Sequence, residues 1–336
     1  MKKSIAFTLF YILLSLSSGC SLSYGPALDQ TGVSKLDGLL QEKIDAKVHA
    51  ILPKYYYVNV AVVRSNEIVL TKSYGHDRLD KTDVYASVSK PVTAMIVLQL
   101  LQQGKILSLD DDIGIYHSKY KNATPKKYSD SCVTFRQLLS HTSGVPHQSK
   151  LWSGGKLKLE FRPGTDVKYS THGYGVLGDV MEEIAGKSYR QLVREYVGKP
   201  INANSFKVMH WFFDAPAGQV ASTIEDMARF SIAVMNNKYI SSDFLCDEVL
   251  KEHAKDRHGS IGLGWYCTGL NTNDLAGYHA GSNGRPRAFL AIKPHKKNAI
   301  AITGLNRSAS NNQDFGQLTI DLMAIIENRD SIDSGR

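Results

Sequence analysis

Strand-type sequence occurs near both ends of this chain, and a long helical stretch separates the two parts. Residues 55–63 are rich in β-branched and aromatic residues, and after a tight turn at Ser65 and Asn66 a second strand is predicted over 68–74. From Gly262 onward the apolar period is again two, which predicts strands over 262–268, 275–281, 287–292 and 299–304. Strands at both ends with helices between them indicate one sheet assembled from the N- and C-terminal parts.

The stretch between these strands, about residues 88–255, has mostly helical spacing of its apolar residues. Amphipathic helices are also predicted over 35–52 and 314–326, and His141 is expected to have a helix-end role. The predicted fold is therefore α+β, with an antiparallel β-sheet flanked by helices and a mostly helical subdomain inserted at about 88–255. A chain of 336 residues suits one large domain, which we expect to span residues 35–330.

The first 20 residues have the features of a targeting segment. A basic start precedes an apolar stretch that is too short to span a bilayer as a mature helix. It ends at Ser17-Ser18-Gly19-Cys20, which resembles a bacterial lipobox. We expect Cys20 to be lipidated, residues 21–34 to form a tether, and the protein to be anchored in the cell envelope, on the periplasmic face of the outer membrane in a Gram-negative cell. The alternative is an ordinary secretory signal that is cut near Gly19.

The charge and the cysteines limit the possible partners. The net charge of +8 falls by two when the signal segment is removed, and no block of Lys and Arg occurs, so nucleic-acid binding is not predicted. Cys132, Cys246 and Cys267 remain in the mature chain, and their spacing fits no metal motif. We therefore predict no metal and no organic cofactor. Outside the cytoplasm one pair of these cysteines could form a disulfide, and the sequence does not say which.

Ser87 and Lys90 form an S-x-x-K pair at the start of an apolar helical run that ends at Gly104. Residues three apart share one face of a helix, so the amine lies beside the hydroxyl. A serine hydroxyl is a weak nucleophile that needs a base, and a desolvated lysine can serve as that base. The pairs Ser118–Lys121 and Ser153–Lys156 match the same pattern, but neither opens an apolar helix. The alternative for Ser87 is an N-cap on a core helix with an exposed lysine.

Several further motifs follow in an order that resembles the serine β-lactamase and penicillin-binding-protein superfamily. The resemblance is strongest to the branch that holds class C β-lactamases, D,D-peptidases and related esterases. It extends from about residue 55 to residue 326 and rests on Ser87-Val88-Ser89-Lys90, residues 103–111, residues 138–144, Pro163-Gly164, Tyr169-Ser170-Thr171, residues 262–265 and His279-Ala280-Gly281.

The resemblance implies a role for each matching position. Ser87 would be the nucleophile, Lys90 its activating neighbour, and Tyr169 a general base or proton shuttle. A free phenol has a pKa of about 10, so Tyr169 would need a cation such as Lys90 to form the phenolate. The backbone N–H groups of Ser87 and Ser282 would form the oxyanion hole.

Two departures from the family pattern bear on the substrate. Thr171 stands where the family has an asparagine that holds a substrate amide. His279-Ala280-Gly281 replaces a Lys-Thr-Gly triad that helps to hold a substrate carboxylate. Thr171, His279, Ala280 and Gly281 are thus the predicted substrate-binding residues. We expect His279 to be partly charged at neutral pH, and Arg285 or Arg287 could supply further charge.

These observations predict a lipid-anchored serine hydrolase that forms an acyl-enzyme on a small ester, amide or peptide. Histidine in place of the triad lysine is found in esterase-like relatives, so the esterase type is favoured. The alternatives within enzymes are a D,D-peptidase acting on cell-wall peptides and a weak β-lactamase. The alternative outside enzymes is a penicillin-binding-like binding lipoprotein that catalyses nothing.

Overall fold

The computed structural model describes residues 29–210, 212–308 and 314–327. Its strands are β1 Gln30–Ser34, β2 Tyr55–Arg64, β3 Glu67–Tyr74, β4 Asp83–Val84, β5 Trp152–Ser153, β6 Lys156–Leu157, β7 Lys207–Val208, β8 Val220–Ser222, β9 Ala254–Asp256, β10 Gly259–Ile261, β11 Tyr266–Thr268, β12 Ala276–Ser282, β13 Pro286–Lys293 and β14 Asn298–Asn306. Its α-helices are α1 Gly38–Ile51, α2 Ser89–Gln102, α3 Ile113–Tyr116, α4 Phe135–Leu139, α5 Thr171–Ala185, α6 Tyr189–Leu192, α7 Ala215–Gly218, α8 Ile224–Met235, α9 Ser242–Phe244 and α10 Asp314–Glu327.

One large antiparallel sheet carries the strands from both ends of the chain. Its order is β1-β3-β2-β14-β13-β12-β11-β10-β9, and the smaller sheets are β4-β8-β7 and β5-β6. The N- and C-terminal parts meet where β2 pairs with β14, with Val60 opposite Ile302. The predicted fold class is confirmed: an antiparallel sheet built from both ends of the chain, with a mostly helical region inserted between them.

The central strand β2 is buried on both faces, because its alternate side chains enter two different cores. Val60 and Val62 pack with Ile44 of α1 and Leu322 of α10 on one face. Ala61 and Val63 face the larger core, which α2 and α8 fill on the other side. The sheet is thus a two-sided support, and the segment that carries Ser87 lies on the α2 side.

A buried carboxylate ties that segment to the middle of the sheet. Asp83 accepts hydrogen bonds from Tyr57 (2.7 Å) and Asn59 (2.8 Å) of β2 and from Thr303 (2.7 Å) of β14. Arg78 donates a further bond at 3.2 Å. Because a buried carboxylate is stable only when its oxygens are hydrogen-bonded, this network fixes β4, four residues ahead of Ser87.

The structure differs from the sequence-based prediction at two boundaries. The predicted tether is wrong for Gln30–Ser34, which forms the edge strand β1, where Val33 N donates to Thr71 Oγ1 at 2.8 Å. The predicted strand over 262–268 begins only at Tyr266, because Gly264 turns with φ +85° against Ala94 of α2. The signal segment and Cys20 lie outside the described residues. No helix in the described ranges is long and apolar enough to cross a bilayer.

Candidate active site

Ser87 lies in a tight turn at the entrance to α2. Ala86 to Val88 form a 3₁₀ turn and the α-helix begins at Ser89, two residues later than predicted. Ala86 has φ +46°, a conformation that is strained for a residue with a Cβ and that occurs frequently at functional sites. The turn leaves the Ser87 side chain partly exposed and places Lys90 about one helical turn after it.

Strand β12 presses directly against this turn. A Cβ added at Gly281 would lie 2.3 Å from Tyr85 O and 3.3 Å from Ala86 Cβ, so only glycine fits there. The glycine of the triad-like segment is therefore needed for the close approach of β12 to the residues just before Ser87.

The backbone N–H of Ser282 takes no part in the pairing of β12 with β13. Asn283 N bonds to Pro286 O on the β13 side, and N–H groups alternate between the two sides of a strand, so Ser282 N–H points away from β13. Pairing of β12 with β11 extends only to Tyr278, so no strand in the described part of the chain pairs with that side of Ser282. The role of this N–H as an oxyanion donor stays a prediction.

Lys90 is completely buried, and none of the ion pairs among the described residues involves it. Its Nζ donates to Ala217 O at 2.9 Å and lies over the rings of Tyr169 and Tyr174, at 4.6 and 5.4 Å from the ring centroids. Burial lowers the Lys90 pKa to about 7, and the charge of Asp214 acts in the opposite direction. A substantial fraction of Lys90 is thus a neutral amine at neutral pH.

Tyr169 is held beside Ser87 by its neighbour in the chain. Ser170 is the N-cap of α5: its hydroxyl accepts from Gly173 N at 2.8 Å and donates to Pro146 O at 2.9 Å. Burial raises the Tyr169 pKa above its ordinary value, and the neighbouring Ser87 side chain acts in the opposite direction. Burial thus favours the phenol over the phenolate, whereas Lys90 is the group whose pKa is lowered toward neutral pH. The role of Tyr169 as general base or proton shuttle stays a prediction.

His279 is neutral, which corrects the expectation of partial charge. Burial, and after it the charge of Lys90, lower the His279 pKa to about 3. Its Nδ1–H donates to Ala280 O at 2.8 Å, because a carbonyl can only accept, so Nε2 is left as an acceptor. His279 thus supplies no positive charge for a carboxylate at neutral pH.

A cavity of about 840 Å³ brings most of the predicted residues together. Ser87, Tyr169 and residues 279–282 line it, and Lys90 lies behind Tyr169. Thr171 is not in the lining. It is the first residue of α5, and its backbone N–H donates to His147 Nδ1 at 3.3 Å. Arg287 lines the cavity, whereas Arg285 binds the carbonyls of Asn306 and Arg307.

His141 has a role beyond the helix end that its sequence position predicts. It is buried in a left-handed conformation (φ +63°), its ring centroid lies 4.5 Å from that of Tyr169, and its Nδ1 accepts from Ser170 N at 3.1 Å. Burial and the charge of Lys90 hold the His141 pKa well below its ordinary value. His141 therefore supports Tyr169 as a neutral ring. Its position at a helix end beside a glycine turn was visible in the sequence, but its contact with Tyr169 was not.

A metal site in a protein needs several His, Cys, Asp or Glu side chains arranged around one point. Among the described residues, no group of three or more His, Cys, Asp and Glu side chains is arranged to hold a metal ion. Cys132, Cys246 and Cys267 are free thiols.

Comparison with known proteins places this site in a family. The family model described as Beta-lactamase matches residues 54–318. The chain belongs to the beta-lactamase family. Members of this family are serine hydrolases that act on small esters, amides or peptides, and the resemblance inferred from the motifs is confirmed.

Relatives of this beta-lactamase family protein are distant in sequence. Protein flp of Staphylococcus aureus is 22% identical over 325 residues, covering 78% of this chain. The chain spans only 62% of that relative's length. Beta-lactamase-like protein 4 of Dictyostelium discoideum is 27% identical over 252 residues, covering 57% of this chain and 44% of its own.

Solved structures of the family share the fold. The octameric penicillin-binding protein homologue from Pyrococcus abyssi superposes with a TM-score of 0.71 at 17% identity, over 87% of this chain and 78% of that one. The beta-lactamase/D-alanine carboxypeptidase from Yersinia pestis, solved with citrate, gives a TM-score of 0.70 at 19% identity, over 86% and 98% of the two chains.

The contact between Lys90 and Tyr169 predicts that the two side chains act as one unit. We expect Lys90→Ala and Tyr169→Phe each to slow acylation by about 100-fold or more, the scale of a positioned acid or base. The double variant should lose far less than the product of the two losses, because either change already breaks the same proton path. Acylation by an activated ester, measured by stopped flow, checks this. Losses that multiply would mean that the two groups work separately.

Proposed function

We propose that this protein is a serine hydrolase that forms an acyl-enzyme at Ser87, with an ester as its preferred substrate. The observation that carries this proposal is the fully buried amine of Lys90, which lies 4.6 Å from the centre of the Tyr169 ring, with Tyr169 and Ser87 in the lining of one cavity. A binding protein has no need of a desolvated amine, since burial of an uncharged lysine lowers stability.

The proposed first step is attack of Ser87 Oγ on the substrate carbonyl. As the new C–O bond forms, the Ser87 proton passes to the Tyr169 oxygen while the phenol proton passes to Lys90, which becomes an ammonium. The carbonyl π electrons move to oxygen, and the oxyanion accepts hydrogen bonds from Ser87 N–H and Ser282 N–H. Collapse of the tetrahedral intermediate breaks the bond to the leaving group. The leaving group receives the proton of the Lys90 ammonium through Tyr169.

Hydrolysis of the acyl-enzyme uses the same groups in the reverse order. Water loses a proton through Tyr169 to the neutral Lys90 as its oxygen adds to the acyl carbon. The Ser87 Oγ then leaves and receives that proton, and the free acid departs. Each half-reaction returns Lys90 to its neutral form, because the proton taken from Ser87 departs with the leaving group and the proton taken from water goes to Ser87.

The preference for esters rests on the group that would meet a carboxylate. β-Lactams and peptides that end in D-Ala-D-Ala carry a carboxylate near the scissile bond, and here that region holds a neutral His279 and an Ala280 without a side-chain donor. Loss of a hydrogen bond to a charged group costs about 1.5–3 kcal/mol, or roughly 10- to 150-fold. Arg287 in the cavity lining is the specific observation that supports the second candidate, a D,D-peptidase.

Labelling tests the identity of the nucleophile. A fluorophosphonate should modify Ser87 alone, and mass spectrometry of the digested protein locates the label. Ser118 and Ser153 serve as internal controls, because they share the S-x-x-K spacing but lie in a 3₁₀ turn and in the short strand β5. A label that persists in Ser87→Ala would overturn the assignment.

Competing substrates test the preference for esters. We expect kcat/KM for a short aryl ester to exceed that for a chromogenic cephalosporin. Replacement of Arg287 by Gln should lower cephalosporin turnover more than ester turnover. A wild type that prefers the cephalosporin would establish that Arg287 or another group anchors the carboxylate, and the ester proposal would then be abandoned.

We also propose that Cys20 carries a lipid that anchors the protein in the cell envelope, on the basis of the lipobox-like run that precedes it. Metabolic labelling with a palmitate analogue should mark wild type, and Cys20→Ala should lose the mark and leave the membrane fraction. Wild type found wholly in the soluble periplasmic fraction would contradict the anchor.

A further inference from the structure

The cavity extends well beyond Ser87, over the face of the sheet that carries α10. Its far wall is formed by residues of α10, from Phe315 to Ile320. Helix α10 packs on β13 and β14, so the same face of β11 and β12 beside it is open to the cavity. A volume of about 840 Å³ is of the size that holds a drug-sized ligand, far more than an acetyl group needs.

A succession of rings leads from the proposed catalytic tyrosine to that wall. The centroids of Tyr169 and His279 are 6.4 Å apart, and those of His279 and Tyr266 are 5.7 Å apart. Tyr266 is stacked with Tyr278 at 5.8 Å, and Tyr278 with Phe289 at 6.1 Å. We call Tyr266, Tyr278 and Phe289 the ring floor; they lie on three adjacent strands.

The ring floor is on one face of the sheet because of the strand register. Tyr266 is opposite Tyr278 across β11 and β12, and Phe289 is opposite Ala280 across β12 and β13. Tyr278 and Ala280 are two residues apart, so both point to the same face. Each floor side chain is half-buried, and Ile320 of the wall is 64% exposed. This surface lies on the α10 face of the sheet and the Ser87 turn packs on the other face of β12, but one cavity is lined by both. A partly uncovered apolar surface inside such a cavity is typical of a ligand groove.

The cavity lining holds no carboxylate among the described residues, and its arginines are Arg257 and Arg287. The lining therefore offers no ion-pair partner for a cationic substituent, and the ring floor itself carries no charged side chain.

One cavity is lined by both Ser87 and the ring floor, so a substituent of the substrate can reach the floor while its carbonyl is at Ser87. Of the two substituents of an ester, the acyl chain is the one that stays bonded to Ser87 after the leaving group has gone. We propose that this groove binds the acyl chain of the substrate, and that the protein is selective for esters of long, apolar carboxylic acids. This inference rests on the proposed hydrolase function and names its substrate class.

The test is a series of p-nitrophenyl esters from acetate to octanoate, used below their micelle concentrations. Each buried methylene contributes about 0.8 kcal/mol, which is close to a fourfold change. Because the groove is open on one side, we expect kcat/KM to rise by at least about tenfold from acetate to octanoate.

Gly316 offers a variant that fills the groove without harm to the helix. It has a helical conformation, and an added Cβ would lie 3.5 Å from the Phe289 ring, which is ordinary contact. Gly316→Leu replaces a poor helix former with a good one and places its side chain over the ring floor. We expect the octanoate-to-acetate ratio of kcat/KM to fall about tenfold or more.

The matched control is Ala324→Leu, an exposed position on the same helix that does not line the cavity. It should leave both esters unchanged. Ile320→Ser removes part of the apolar wall at an exposed position and should lower the same ratio severalfold, which provides a second variant if Gly316→Leu folds poorly.

The outcomes separate this inference from the function on which it rests. Hydrolysis of acetate that depends on Ser87, with a ratio that is flat along the series and equal in wild type and Gly316→Leu, would overturn the acyl groove and leave the hydrolase proposal standing. Failure of every ester to be hydrolysed would overturn both.

Discussion

Burial of the Lys90 amine is the interaction on which the candidate site depends. A lysine in water is an ammonium and cannot accept a proton, so it is no base until desolvation lowers its pKa. Here the side chain is enclosed between α7, which offers the Ala217 carbonyl, and the rings of Tyr169 and Tyr174. Those neighbours hold the nitrogen in position without a direct ion pair, and the resulting pKa of about 7 makes Lys90 available as a base near neutral pH.

The histidines around Tyr169 also have pKa values that favour the neutral form. His141, His147 and His279 all lie near Tyr169, and burial lowers the pKa of each below its ordinary value. Neutral imidazoles carry no positive charge that would lower the Lys90 pKa further, and no negative charge that would raise it. Asp214 is the carboxylate that opposes the effect of burial, and it is itself close to His172, with Nε2 and Oδ2 3.4 Å apart.

Much of this arrangement could be predicted from the sequence, and the reason is that its causes are local. The period-two segments, the Asn283-Gly284 turn and the apolar run after Ser87 each follow from side chains a few residues apart. The charge of His279 could not be predicted, because it depends on burial by residues distant in the chain. The position of the Thr171 side chain could not be predicted either, because it depends on α5. The strand at Gln30–Ser34 forms only because β3 offers an edge, so it too was not predictable. The ring floor combines residues of three strands. That these rings lie side by side could not be predicted, because it depends on the register in which the strands pair.

The most direct test of the central role of Lys90 is the pH dependence of kcat/KM for an activated ester, which reports the ionisation of the free enzyme. Since only the neutral amine accepts the serine proton, kcat/KM should rise about tenfold per pH unit below the Lys90 pKa. It should then level off above a midpoint near pH 7. The rise should be absent from the residual activity of Lys90→Ala. A profile for wild type that is flat between about pH 5.5 and 8.5, or that falls as pH rises through 7, would contradict the account.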